Sequence, residues 1–121
     1  MKYIKNYING ELTSFSKNKI PVNDPSTGEV IAEVVLSNEI DLQKTLDSSI
    51  KSQLEWSITT PLKRSRILSK YKNLIEINIE EIAKLVSTEH GKTFEDAKAS
   101  VTRGLEVVEF ACGIPHMLKG E

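Results

Sequence analysis

The stretch Glu29-Val30-Ile31-Ala32-Glu33-Val34-Val35-Leu36-Ser37-Asn38-Glu39-Ile40-Asp41-Leu42 is where the chain changes its period, and that change sets the fold class. Up to Leu36 the alternation is two residues long. Val30, Ala32 and Val34 fall on one side, and Glu29, Ile31, Glu33 and Val35 on the other. One face is wholly apolar and the other mixed, as in a strand partly covered on both sides, so something further is expected over the mixed face. From Ser37 the period lengthens to about three and a half. Ser37 or Asn38 stands where a helix N-cap belongs, and Leu42, Leu46, Ile50 and Leu54 form an i, i+4 stripe running to roughly Trp56.

Working back from that stretch, Lys19 to Val22 and the return strand Glu29 to Leu36 flank Asp24-Pro25-Ser26-Thr27-Gly28. There proline fixes φ and glycine admits a left-handed conformation, which predicts a hairpin. Ahead of it, Tyr3 to Ile8 and Glu11 to Phe15 are joined by Asn9-Gly10, a dipeptide suited to a type I′ turn, which predicts another. Working forward, Thr60-Pro61 starts a second helix whose apolar face is Ile67, Leu68, Tyr71, Leu74 and Ile75. Asn78-Ile79-Glu80-Glu81 has capping-box spacing and predicts a third helix, stopped at His90-Gly91. Thr93 and Asp96 open a fourth, carrying Ala97, Val101, Leu105, Val108 and Ala111 until Gly113 and Pro115 weaken it. Residues 1–36 therefore read as strands and 37–121 as about four amphipathic helices. This is an α+β segment with no repeats, low-complexity tracts or internal linker.

Composition narrows the partners. Sixteen basic and seventeen acidic side chains are spread along the chain, leaving no net field for nucleic acid or an anionic membrane. No apolar run approaches the roughly 18 to 20 residues that span a bilayer, and the start at Met1-Lys2-Tyr3 lacks a secretory signal. A cytoplasmic location is expected. The single cysteine, Cys112, has no partner for an internal disulfide, and His90 and His116 do not form a metal-ligand cluster.

Candidate chemistry is sparse. Cys112 lies near the end of an amphipathic helix, with neither a base nor an oxyanion-stabilising amide placed beside it, so it reads as a packed side chain and not a nucleophile. The six glycines never assemble into a phosphate loop or dinucleotide fingerprint. His90 reads as a helix-terminal capping or surface residue. Lys63, Arg64, Arg66, Lys70 and Lys72 concentrate positive charge on the second helix. Such a cluster suits a phosphate-bearing ligand such as a coenzyme, but a solvated polar face opposite Ile67, Tyr71 and Leu74 accounts for the same residues more simply. Arg103, next to Gly104, is different in kind, because the glycine lets a ligand or another backbone approach. On the residues alone, pairing with Glu106 or another surface carboxylate accounts for it.

The order of features resembles the amino-terminal region of the aldehyde dehydrogenase superfamily over the whole chain. The matching pieces are Asn6-Tyr7-Ile8-Asn9-Gly10-Glu11, then Val22-Asn23-Asp24-Pro25-Ser26-Thr27-Gly28-Glu29-Val30-Ile31-Ala32, and Trp56. Arg66-Ile67-Leu68, Glu80-Glu81-Ile82-Ala83-Lys84-Leu85 and Glu89-His90-Gly91-Lys92-Thr93 follow, the last similar to the family's acidic-x-Gly-Lys helix end. Asp24 departs from the family's usual Asn-Pro and affects a turn only. Arg103-Gly104-Leu105-Glu106-Val107-Val108-Glu109-Phe110-Ala111-Cys112 and Gly120-Glu121 resemble the coenzyme A-acylating methylmalonate-semialdehyde dehydrogenase branch.

The resemblance implies that the chain is the amino-terminal piece of a larger enzyme, within the cofactor-binding half of an α/β fold. It implies that Arg103 helps bind the carboxylate of a semialdehyde, with the bidentate geometry of a guanidinium. It further implies attack by a cysteine thiolate, hydride transfer to NAD, and release of the acyl group to coenzyme A. Carbon dioxide is lost, giving propionyl- or acetyl-coenzyme A, in steps that end valine, inositol and pyrimidine breakdown. The nucleophile, oxyanion-hole asparagine and cofactor-binding units belong downstream. These 121 residues are therefore expected to hold no catalytic residue, to bind neither NAD nor coenzyme A, and to be inactive alone; the full-length enzyme is expected to be a homo-oligomer, a tetramer. The competing readings are another NAD(P)-dependent aldehyde dehydrogenase, a non-catalytic α+β interaction module, and a small cysteine enzyme using Cys112.

Overall fold

The computed structural model describes residues 1–120 and divides into two units, Met1–Ile58 and Thr59–Glu121. The first holds β1 (Lys2–Ile4), β2 (Asn6–Ile8), β3 (Glu11–Thr13), β4 (Lys19–Asn23), β5 (Val30–Val35) and α1 (Glu39–Ile58). The second holds α2 (Pro61–Ile77), α3 (Ile79–His90), α4 (Phe94–Ala111) and α5 (Ile114–Met117).

In the first unit both expected turns form. Asn9 and Gly10 have φ of 52° and 82°, as a type I′ turn requires, and β2 pairs antiparallel with β3. Asp24 closes the other turn. Its carbonyl accepts from the Gly28 amide at 2.8 Å and its Oδ1 from the Ser26 amide at 2.7 Å, while Gly28 takes φ 77°. The expected strand Tyr3 to Ile8 is instead two strands broken at Lys5. β1 leaves the hairpin and pairs parallel with β5, in the order β1-β5-β4, while β2 and β3 form a separate sheet. Alternation identifies a strand but not its partner. β3 also ends at Thr13, short of the expected Phe15, because the amides of Phe15 and Ser16 donate to the Asp41 carboxylate and not to a ladder. The central strand β5 buries Ala32 and Val35, which lie on opposite sides, so its mixed face is covered as expected.

Asn38 caps α1. Its Oδ1 accepts from the amides of Ile40 and Asp41 at 3.0 and 3.2 Å, and Asp41 Oδ2 accepts from the Asn38 amide at 3.0 Å. The stripe Leu42, Leu46, Ile50 and Leu54 stays 45 to 71% exposed.

In the second unit α3 packs along α4, with Ala83 and Ala97 fully buried. The expected α2 face is corrected: Leu68 and Ile75 are half-buried, but Ile67, Tyr71 and Leu74 are 50 to 55% exposed. The capping box at Asn78 does not form either. Asn78 sits at φ −108°, ψ 11°, and its Nδ2 donates backward to the Leu74 carbonyl at 2.7 Å, so it closes α2 instead of opening α3. Gly91, with φ 78°, ends α3 as expected, its amide donating to Ser87 O. Beyond the four expected helices, Gly113 caps a one-turn α5 that carries Pro115 in its first turn and ends at Leu118. Among the described residues the buried apolar side chains are Ala32, Val35, Ala83 and Ala97, all small. No helix of the described residues is long and apolar enough to cross a membrane.

Candidate functional site

The site around Arg103 is built by the start of α4. Thr93 Oγ1 accepts from the Asp96 amide at 3.2 Å and donates to Asp96 Oδ2 at 2.9 Å, which fixes the first turn. With that register set, Asp96, Ala99, Ser100 and Arg103 share one helix face at i, i+3, i+4 and i+7. Lys92 reaches the same face from the α3–α4 connection. Its Nζ donates to Ser100 Oγ at 3.0 Å, and its carbonyl accepts from Ser87 Oγ at 2.8 Å. These five residues line an open cleft of about 250 Å³.

The cleft holds two cations and one carboxylate, and that carboxylate is engaged by the Thr93 hydroxyl. Arg103 is exposed, and among the described residues it makes no ion pair with Glu106 or any other carboxylate, contrary to the pairing expected on the residues alone. Its guanidinium is available to a planar anion. Gly104, where added bulk would meet nothing within 4 Å, lines a different cavity with Tyr71, Ile75, Ile82, Val101, Leu105 and Val108, so the room expected beside the arginine from that glycine lies on another face of α4. The lining includes no cysteine or histidine; its chemistry is that of binding.

The other sequence candidates lie apart from this cleft. Cys112 caps the end of α4, half-buried, its Sγ donating to the Val108 carbonyl at 3.3 Å and its own carbonyl accepting from Ser65 Oγ at 2.6 Å. It is a packing residue held by α2. His90 is exposed at the end of α3. Of the basic residues on α2, Lys72 is bound to Glu76 at 2.9 Å and lies 3.4 Å from Glu109, whose carboxylates hold its ammonium above its ordinary pKa, Glu76 most strongly. Lys63, Arg66 and Lys70 are exposed. Among the described residues no group of His, Cys, Asp and Glu is placed to hold a metal ion.

One structural residue went unremarked in the sequence. Asp41, 1% exposed, accepts from the amides of Phe15 at 2.8 Å, Ser16 at 3.1 Å and Asn38 at 3.0 Å, and from Asn6 Nδ2 at 3.3 Å. The Phe15 amide, then those of Asn38 and Ser16, hold its carboxyl below the usual carboxylate range against the opposing effect of burial. The spacing Asn38-x-x-Asp41 is the signal that finds it, since it is a capping box followed by an apolar run.

Residues 12–121 match the sequence model of the aldehyde dehydrogenase family. Over its full length the chain is 43% identical to malonate-semialdehyde dehydrogenase of Pseudomonas aeruginosa, and over 119 residues 44% identical to malonate-semialdehyde dehydrogenase 2 of Bacillus cereus, covering 24% of each. The fold matches a Sinorhizobium meliloti structure, solved with NAD and provisionally called a methylmalonate-semialdehyde dehydrogenase, with a TM-score of 0.97 at 38% identity. It matches methylmalonate-semialdehyde dehydrogenase from Oceanimonas doudoroffii with a TM-score of 0.88, also at 38% identity. All of this chain and 25% of each of those structures are covered. The α+β arrangement is that of an aldehyde dehydrogenase segment, and the chain belongs to the aldehyde dehydrogenase family. Within the family, its similarity runs to proteins named for malonate and methylmalonate semialdehyde, and it spans about a quarter of their length.

Proposed function

We propose that these residues form the amino-terminal quarter of an NAD-dependent, coenzyme A-acylating semialdehyde dehydrogenase, a cytoplasmic homo-oligomer that oxidises malonate or methylmalonate semialdehyde to acetyl- or propionyl-coenzyme A with loss of carbon dioxide. The observation that carries this reading is identity of 43% over the whole chain to a protein named for malonate semialdehyde. The role of the segment is to supply scaffold and one substrate residue. Arg103, exposed and unpaired on α4, holds the carboxylate that distinguishes these semialdehydes from simple aldehydes. NAD, coenzyme A and the nucleophilic cysteine are engaged by downstream residues.

Two observations test this. The reading frame beyond the codon for Glu121 is expected to continue through a glycine-rich βαβ region to a later cysteine; an immediate stop would contradict it. In the full-length enzyme, Arg103→Ala is expected to lower kcat/KM for malonate semialdehyde by about 10- to 100-fold, the value of a lost charge-assisted pair. The same variant should leave an uncharged aldehyde nearly unaffected. Equal losses on both substrates would remove Arg103 from carboxylate recognition.

A further inference from the structure

The Asn9-Gly10 turn is shaped for a reaction as well as for a reversal of the chain. Among the described residues Asn9 is the one non-glycine residue with a left-handed φ, at 52°. Its carboxamide has no hydrogen-bond partner among those residues, and neither has the Gly10 amide. Both residues are exposed, and nothing lies within 4 Å of the place a Cβ on Gly10 would take. A free carboxamide thus stands beside an unhindered backbone nitrogen.

Ring closure between them needs the Gly10 nitrogen eclipsed with Asn9 Cβ across the Cα–C bond. For an L-residue that is the ψ of about −120° found, together with φ of about 60°, at the first central position of a type II′ turn. Asn9 already holds that φ. In its type I′ turn ψ is about 30°, so one flip of the Asn9–Gly10 peptide plane separates the two shapes. The flip takes Gly10 from φ 82° to about −80°, which glycine does without steric cost, and both turns close a two-residue hairpin. The pair Ile8 and Glu11 can therefore stay in register while the turn visits the reactive shape.

We propose that Asn9 is a site of spontaneous modification, passing through a succinimide to isoaspartate. The Gly10 nitrogen attacks Asn9 Cγ and gives up its proton to solvent, the Cγ–Nδ2 bond breaks, and ammonia leaves. Water then opens the imide at either carbonyl, leaving an aspartyl or an isoaspartyl residue. The new carboxylate enters the cleft that Asn9 shares with Glu11, Lys44, Asp47 and Lys51. The isoaspartyl form also adds a methylene to the main chain, which the two-residue turn does not fit, so the β2–β3 pairing loosens. Of the seven asparagines, Asn9 alone precedes glycine. Asn6, Asn23, Asn38 and Asn78 also have their carboxamides engaged in hydrogen bonds.

The test incubates the unaltered full-length protein in heavy-oxygen water at mildly alkaline pH and maps its peptides by mass, with isoaspartate detected by enzymatic methylation. The expected result is heavy oxygen and isoaspartate at Asn9 and at no other asparagine. Because a surface turn opens at little cost, the rate should lie within about tenfold of that in urea. Greater protection than that, or modification spread over the other asparagines, would overturn the proposal. In Asn9→Gly, which keeps a dipeptide suited to the turn, the slow acidic species should vanish, and its persistence would likewise overturn it. Neither readout requires turnover, so the semialdehyde reading and this one can fail separately.

Discussion

Asp41 and Arg103 are both charged residues on helices, and their surroundings give them opposite roles. Asp41 is surrounded by donors from β2, the segment after β3 and the α1 cap, so its charge is used up in holding three pieces of chain together. Because its folded-state pKa is lowered, the stability it contributes is present above its ordinary value near 3.9 and is lost as pH falls through the lower folded value. Acid unfolding of the parent enzyme should therefore flatten below about pH 4 in Asp41→Asn, a variant already less stable at pH 7. Parallel stability curves for variant and parent, followed by denaturant midpoints from pH 7 to pH 3, would refute this role. Arg103 has no such company, and that is what leaves it available to a ligand. Its position was legible in the sequence, whereas its freedom from Glu106 was not, because i, i+3 spacing permits an ion pair without requiring one.

At the level of elements, what was legible depended on whether the signal was local. Asn9-Gly10, Gly28, Gly91 and Thr93 each act within a few residues, and each does in the structure what its chemistry dictates. The split at Lys5 was not legible, because the partner of β1 is β5, some 30 residues away, and nothing in Lys2-Tyr3-Ile4 names it. Asn78 failed for a local reason: its amide has two backbones within reach, and the Leu74 carbonyl at the end of α2 won. These assignments separate two substitutions. Thr93→Ala removes a cap that is used and should cost about 1 kcal/mol. Asn78→Ala removes no N-cap bond from α3, so its effect should appear as fraying at the end of α2. Hydrogen exchange of the Ser100 and Ile77 amides distinguishes them, and faster exchange across the first turn of α3 in Asn78→Ala would restore the capping box. In the small core, Ala83→Leu should cost about 1–3 kcal/mol by overpacking where α3 lies on α4. A thermal melt unchanged from the parent would show that this packing is looser than described.

For the whole molecule, the stripes read from periodicity are real, but much of their apolar surface stays uncovered within these residues. Among the described residues, buried apolar side chains limited to three alanines and one valine are a poor core for a chain of 121 residues. The isolated chain should therefore melt without a cooperative transition and bind an apolar dye, as checked by circular dichroism and dye fluorescence. A sharp, dye-free transition would favour a free-standing module. The most direct measurement is turnover of malonate semialdehyde with NAD and coenzyme A, followed as NADH and acetyl-coenzyme A, by the full-length protein and by these 121 residues side by side. The predicted result is coenzyme A-dependent formation of both products by the full-length protein and none by the 121 residues. Turnover by the 121 residues alone, or oxidation by the full-length protein to a free acid without coenzyme A, would contradict it.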